Sequence, residues 1–289
     1  MIPFCSLQDY FPDYNDFPMI ESRIINGLNA TEGQFCYYVE VIQLLQNANR
    51  QYCGGSLIRA DFVLTAAHCC YPPSNATQIF SYRVNAGSII TRQAQQSRTV
   101  EESQVTVHPE FSRTTLNNDI ALIKVPVFTF NRLVCQINLV PSSWRYESYV
   151  GRNITALGLG YISNAGEEAD NLRWTDELTI IPMNNCTPFY TVTLPSNIFC
   201  AVDLGDVPDS ATCSGDSGGP VIVYANDNLN RPIQIGLVSF GRSDGCDTGP
   251  QGFVDIAKYR AWISETTIPI GDIVNTLLDS VDNLLGGLL

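Results

Sequence analysis

The sequence predicts an all-β fold, and three observations support this prediction. Short runs of alternating or β-branched residues fill the chain from about Gln51 to Val254. Gly, Pro, Asn and Asp separate these runs, and such regular spacing is typical of β-barrels and sandwiches. A helical pattern comes only late, in "AKYRAWISETT" and after Pro269. The predicted strands are QYCGGSLI, FVLTAA, SQVTVH, DIALIKV, NITALG, DELTIIP, PVIVY, QIGLVSF and GFVDI.

Composition limits the classes of partner. The chain has 289 residues, of which 45% are hydrophobic and 16% charged, so it can form a globular core. A net charge of -13 argues against nucleic acid and against anionic membranes, because both bind clustered Lys and Arg. No apolar run reaches 18 residues, so we expect no membrane span.

Cysteines and glycosylation motifs indicate an oxidising compartment. Ten cysteines are many for a cytosolic chain, and four N-x-[ST] motifs favour the same interpretation. We expect a secreted, extracellular protein whose signal peptide is missing from this sequence, since the first 23 residues lack a basic start and a long apolar run. The candidate glycosylation sites are Asn29, Asn75, Asn153 and Asn185.

The last segment, residues 266–289, has the pattern of an acidic amphipathic helix. Its apolar residues recur at gaps of three and one, which aligns them on one helical face. The polar face lacks Lys and Arg, so packing against its own domain or a partner is favoured over membrane insertion. The apolar positions are Ile270, Ile273, Val274, Leu277, Leu278, Val281, Leu284, Leu285 and Leu288.

Acyl transfer by a serine needs a base, a carboxylate that orients the base, and donors for the oxyanion. Of the two histidines, His68 follows an apolar run in "VLTAAHCC", where a strand exit would expose its ring. His108 lies beside a proline with no nucleophile nearby, which leaves His68 as the candidate base. A zinc site at "HCC" is disfavoured because the ligand spacing is wrong and histidines are few, so we expect no metal and no cofactor.

Two further short segments could complete such a site. Asp119 begins the apolar run of "NNDIALIKV", where it either caps a turn or pairs with His68. Ser217 lies in "GDSGGP", and the glycines on either side allow a tight turn. That turn could direct the amides of Gly215 and Ser217 at one point, as an oxyanion hole requires.

The segments "LTAAHC", "NNDIALIKV" and "GDSGGP", in this order, resemble those of the trypsin and chymotrypsin family of serine endopeptidases. "RIINGLNATEGQF" resembles the activation site of that family, and "VSFG" and "GFV" resemble its pocket walls. The resemblance spans about Arg23 to Ile263. It implies two packed six-stranded antiparallel β-barrels with a C-terminal helix at residues 24–265, between a propeptide (1–23) and the tail (266–289).

The resemblance assigns the same catalytic roles as the chemistry above. It makes His68 the base, Asp119 its orienting partner and Ser217 the nucleophile, with oxyanion donors at Gly215 and Ser217. It also implies that Ser239 supports the buried aspartate.

The resemblance further implies a zymogen. A trypsin-like protease would cleave after Arg23, and the new amine of Ile24 would pair with Asp216. Other expected partners are protein or peptide substrates and serine protease inhibitors.

Disulfide pairs follow from the resemblance for eight of the ten cysteines. Cys36 and Cys70 are then left over and are expected to pair, with a free, buried Cys70 as the alternative. The Cys5 bond would tether the propeptide after activation. The implied pairs are Cys53 with Cys69, Cys186 with Cys200, Cys213 with Cys246, and Cys5 with Cys135.

Specificity is inferred from the primary pocket, which holds the substrate side chain preceding the cut bond. The resemblance places Ala211 at its floor, followed by Thr212, with Ser239, Gly241 and Gly252 along its walls. An uncharged floor and glycine walls predict cleavage after Phe, Tyr, Trp, Leu or Met. Trypsin-like specificity is the alternative, because three carboxylates lie close by in the sequence: Asp209, Asp244 and Asp247.

The sequence therefore predicts a secreted serine endopeptidase, activated after Arg23, that cleaves after large apolar residues. A non-catalytic homologue that uses the same fold for binding is the alternative class. All three triad residues and the oxyanion glycine are present, which favours the enzyme.

Overall fold

A computed structural model describes residues 22–72, 78–205, 210–225 and 230–268, and β-strands are the main regular secondary structure among them. The propeptide up to residue 21 and the tail from residue 269, including its predicted helix, lie outside the described residues. Two short strands come first in the described chain: β1 (Ser22–Ile25) and β2 (Leu28–Asn29).

The first large sheet is a half-barrel of seven strands. Its antiparallel order is β7-β6-β3-β4-β5-β9-β8. The strands are β3 (Tyr38–Leu45), β4 (Arg50–Arg59), β5 (Phe62–Thr65), β6 (Ile79–Ala86), β7 (Gln96–Val100), β8 (Val105–Val107) and β9 (Ala121–Lys124).

The second sheet contains a closed six-stranded barrel. Strands β11, β12, β13, β17, β16 and β15 pair in a ring, while β10 and β2 add to its outside and β14 pairs with β1. The strands are β10 (Asn138–Leu139), β11 (Asn153–Gly158), β12 (Arg173–Ile181), β13 (Ile198–Asp203), β14 (Ala211–Cys213), β15 (Pro220–Tyr224), β16 (Pro232–Phe240) and β17 (Gln251–Asp255).

Two α-helices complete the described fold. The short α1 (Met183–Cys186) lies between β12 and β13, and α2 (Arg260–Thr267) follows the last strand. The predicted all-β class with a C-terminal helix is confirmed, with one barrel closed and the other a half-barrel.

Strand alternation explains how the two sheets pack together. On β5, Val63 belongs to the core inside the half-barrel, whereas its neighbours Phe62 and Leu64 belong to the core shared with the closed barrel. Successive side chains of a strand point to opposite faces, so one short strand serves both cores. Leu237 and Phe199 contribute to the shared core from the closed barrel.

The disulfides differ from the expectation at one pair. The structure contains the bonds Cys53–Cys69, Cys186–Cys200 and Cys213–Cys246. The expected bonds Cys5–Cys135 and Cys36–Cys70 are wrong, because Cys36 is bonded to Cys135.

Backbone geometry explains the correction. The amide of Cys135 donates to the carbonyl of Cys36 at 2.9 Å, and the two Cα atoms are 5.1 Å apart, within the usual range for a disulfide. Cys70 is instead a free, buried thiol that packs against Ala67 and Ala121. Burial raises the pKa of the Cys70 thiol, so it resists reaction. Cys5 lies outside the described residues.

The bond between Cys36 and Cys135 should contribute strongly to stability because its sequence separation is 99 residues. We expect replacement of both cysteines by serine to lower the free energy of unfolding by about 2–5 kcal/mol, measured by urea denaturation. Peptide mapping without reduction should find the two residues linked. A peptide linking Cys36 to Cys70 would contradict the assignment.

Candidate active site

His68 lies at the exit of β5, in a short 3₁₀ turn of residues His68–Cys70. Two side chains of the half-barrel hold this turn. The amide of Gln43 donates to the carbonyl of Cys69, and the hydroxyl of Tyr82 donates to that of Cys70 at 3.0 Å. The imidazole is therefore presented from a fixed backbone, with its side chain 10% exposed.

Asp119 is the buried partner of this imidazole. It is 1% exposed, and its Oδ1 accepts the backbone N–H of His68 at 2.8 Å. Its Oδ2 lies 2.8 Å from His68 Nδ1 and accepts the hydroxyl of Ser239 at 2.6 Å. Three donors thus offset the cost of burying a carboxylate.

The carboxylate also fixes the tautomer of the ring. With Nδ1 bonded to Asp119, the neutral imidazole carries its proton on that nitrogen. His68 Nε2 is buried, and no hydrogen-bond partner for it is found among the described residues. This nitrogen is the one that can accept a proton from a nearby hydroxyl.

Ser217 lies in the tight turn between β14 and β15, close to the His68 turn. The amide of Gly54 donates to the carbonyl of Ser217 at 2.8 Å, and Cys69 Sγ lies 3.6 Å from the same oxygen. Gly218 has a φ of 76°, and any side chain there would collide with Thr65. The turn therefore packs directly against the segment that leads into His68.

Gly215 gives this turn its shape. Its φ is 97°, in the region that favours glycine. The amide of Asp216 donates to the carbonyl of Cys213 at 3.3 Å, and that of Gly219 donates to the carbonyl of Asp216 at 2.7 Å. Such a compact turn can present the amides of Gly215 and Ser217 together.

Asp216 points away from the surface. It is 0% exposed, and its carboxylate accepts the amides of Gly160 at 3.0 Å and Cys213 at 2.9 Å. Any side chain at Gly158 would overlap this carboxylate. Ile24 is also buried, on β1, whose residue Ser22 pairs with Cys213 on β14. The strand that contains Ile24 thus runs beside a residue that binds Asp216.

The residues expected to line the primary pocket do not all face the same side. Ala211 is buried among apolar side chains and Thr212 follows it, but a side chain at Gly252 would meet the ring of Phe240. The preceding residue, Gln251, is the one whose side chain lies beside Gly241. Adjacent strand residues face opposite sides, so a pocket facing Gln251 cannot also face Gly252.

Gln251 is not among the pocket residues that the sequence predicts. The segment "QGFVDI" does show that Gln251 and Gly252 must face opposite sides of a strand. Which of them faces the pocket depends on the register of β17 against β13 and β16, where Gly252 pairs with Cys200 and Phe240.

The nearby carboxylates have other partners. Asp244 Oδ1 accepts from Arg242 Nε at 2.9 Å, and this hydrogen bond lowers the pKa of Asp244. Asp247 accepts the amide of Asn164 at 2.8 Å. Asp209 lies outside the described residues.

His108 has a packing role. Its ring lies 5.3 Å from Tyr259 and 5.1 Å from Trp262, centroid to centroid, and burial lowers its pKa. Of the candidate glycosylation sites, Asn29, Asn153 and Asn185 are exposed, and Asn75 lies outside the described residues.

Cys53, His68 and Cys69 bring three potential metal ligands within 4.8 Å of one another. The two sulfurs form a disulfide with each other, so neither can act as a thiolate ligand. The chemistry of this donor set does not fit a metal.

Comparisons with known proteins identify the family. The sequence model named Trypsin matches residues 24–263. Serine protease 1 of Drosophila melanogaster is 33% identical, covering 86% of this chain and 87% of its own. A collagenase of Hypoderma lineatum is 33% identical over 87% of this chain and 90% of its own. A solved structure of HL collagenase superposes with a TM-score of 0.70 at 30% identity, covering 86% of this chain and all of that one.

The chain belongs to the trypsin family. It is a serine endopeptidase of the chymotrypsin-like type, and its substrates are proteins.

The hydrogen bond from Ser239 to Asp119 should contribute measurably to stability. We expect Ser239→Ala to lower the free energy of unfolding by about 1.5–3 kcal/mol, because the bond is made to a buried charged group. Urea denaturation measures this change.

Ser81→Ala is the matched control for that variant. Ser81 is also buried, and its hydroxyl has no hydrogen-bond partner among the described residues. Its removal should leave stability unchanged or raise it. Equal effects of the two variants would contradict the role of Ser239.

Proposed function

We propose that this chain hydrolyses peptide bonds through an acyl-enzyme on Ser217, with His68 as the general base and Asp119 as its orienting carboxylate. The observation that carries the proposal is the Asp119 carboxylate, which binds His68 through two atoms and leaves Nε2 as the available acceptor. Ser217 lies on the turn that packs against the same segment.

The proposed steps follow from these positions. His68 Nε2 accepts the hydroxyl proton of Ser217 as its oxygen attacks the substrate carbonyl. The amides of Gly215 and Ser217 then stabilise the oxyanion. The imidazolium, stabilised by Asp119, gives its proton to the leaving amine, and water releases the acyl group by the reverse sequence.

A zymogen switch is the second part of the proposal. A trypsin-like protease would cut after Arg23, separating the propeptide (1–23) from the protease domain (24–265) and creating an amine on Ile24. Asp216 is fully buried, and β1 already lies beside the residue whose amide binds it. An ammonium formed there would gain a buried carboxylate as its partner.

The substrate side chain in the primary pocket is proposed to be uncharged. Ala211 brings no charge, and Asp244 and Asp247 are bonded to Arg242 and Asn164. These contacts disfavour trypsin-like specificity. Gln251 Nε2 lies beside Gly241, and a side chain at Gly252 would meet the ring of Phe240, so the proposal retains neither an open slot between the two glycines nor a preference for large residues.

An extracellular location is proposed from the disulfides. Four bonds form among the described cysteines, and such bonds persist in oxidising compartments. No described helix has the length and apolar character needed to cross a membrane. Serine protease inhibitors are proposed as further partners, and the segment 266–289 as a docking extension.

Activity should appear only after cleavage at Arg23. We expect limited trypsin treatment to raise peptide hydrolysis by at least about 100-fold, because only the cleaved chain can form the buried Ile24–Asp216 ion pair, and loss of one member of such a pair costs about 3–5 kcal/mol. A mixed peptide library, with N-terminal sequencing to verify Ile24, measures this increase. Ser217→Ala should abolish activity in the cleaved protein.

Two aspartate variants distinguish loss of the proposed Ile24–Asp216 pair from a general effect of changing a buried aspartate. In the cleaved protein, Asp216→Asn should lose most activity, whereas Asp255→Asn, another buried aspartate, should keep it. Full activity of the intact chain would contradict the zymogen proposal. A cleaved protein whose Ser217 does not react with a fluorophosphonate would instead be a non-catalytic homologue.

A further inference from the structure

Gln251 has a long polar side chain that is almost fully buried. The residue is 1% exposed and begins β17. Its amide reaches across to Thr212 on β14, five residues before Ser217 in the chain. It therefore lies between the strand that leads to the proposed nucleophile and the wall at Gly241.

The amide of Gln251 uses its full hydrogen-bonding capacity. Its Oε1 accepts both the backbone N–H and the hydroxyl of Thr212, each at 2.9 Å. Its Nε2 donates to the carbonyl of Thr212 at 2.5 Å and to that of Cys246 at 3.1 Å. A primary amide has two donors and two acceptor positions, so none is left for a substrate.

Space remains above this amide, next to Gly241. A methyl group placed on Gly241 would lie 3.5 Å from Gln251 Nε2. Among the described residues, apart from the chain neighbours of Gly241, no other heavy atom would come within 4 Å of that methyl group. Gly241 thus borders an open space that the Gln251 amide bounds on one side.

Resting on the proposed endopeptidase function, we propose that Gln251 is the floor of the primary pocket and restricts cleavage to sites that follow small uncharged residues such as Ala and Val. A large side chain would have to displace an amide that makes four buried hydrogen bonds, and those groups would be left unsatisfied. A charged or amide side chain would find no free donor or acceptor on Gln251.

The test compares peptides that are identical except for the residue before the cut bond: Ala, Val, Leu, Phe, Asn or Lys. We expect the activated protein to favour Ala or Val over Phe by about 100-fold in kcat/KM, since one methylene of misfit already changes this ratio by about 10–200-fold. Gln251→Gly should deepen the pocket and shift the Phe-to-Ala ratio toward Phe by about 100-fold.

Two further variants control for loss of packing. Gln251→Ala should shift the same ratio in the same direction, and it keeps a side chain on the strand. Gln234→Ala removes another fully buried, hydrogen-bonded glutamine and should keep the preference of the wild-type protein. Thermal unfolding of each variant verifies that it is folded.

The outcomes distinguish this inference from the proposed function. If a fluorophosphonate labels Ser217 but the wild-type protein cleaves after Phe, Asn or Lys faster than after Ala, the endopeptidase stands and the role of Gln251 is overturned. An unchanged Phe-to-Ala ratio in folded Gln251→Gly would also overturn it. A protein that is not labelled at all would overturn the proposed function, and the inference with it.

Discussion

The arrangement of the two barrels depends on the hydrogen bonds that the buried carboxylate of Asp119 accepts from His68 and Ser239. Asp119 follows Asn118 just before β9 of the half-barrel, yet one of its donors, Ser239, lies on β16 of the closed barrel. A carboxylate that is 1% exposed is tolerated only when its donors are in place. Any relative shift of the barrels would break the bond to Ser239, so the packing of the sheets and the orientation of His68 are set together.

The turn that contains Ser217 also depends on contacts between the closed barrel and the half-barrel. It belongs to the closed barrel, but the carbonyl of Ser217 accepts the amide of Gly54, and Gly218 packs against Thr65. Neither barrel alone therefore holds both the imidazole and the serine. The proposed catalytic group is a property of the interface, and the shared core containing Leu64 and Leu237 keeps that interface rigid.

The sequence predicts the strands that carry the site better than the details that depend on register. "NITALG" and "PVIVY" correspond to β11 and β15 without change, because each is a short run with β-branched residues that is bounded by turn residues. Eight strands have no counterpart among the predicted runs: β1, β2, β3, β6, β7, β10, β13 and β14. The partner of Cys36 was mispredicted because pairing depends on which backbones adjoin, and Cys135 is 99 residues away.

A shift of one residue along β17 changes which side chain is expected to face the primary pocket, and with it the expected specificity. Gly252 and Gln251 are adjacent, and only the pairing of β17 with its neighbours decides which one faces Thr212. Once Gln251 faces inward, its amide binds the N–H and the carbonyl of Thr212, as a neighbouring strand would. A side chain held in this way is about as fixed as backbone, so it can set the depth of a pocket without any charge. In this chain, the register of β17 thus decides which side chain binds Thr212 and, on the proposed role of Gln251, the size of the substrate side chain that the pocket admits.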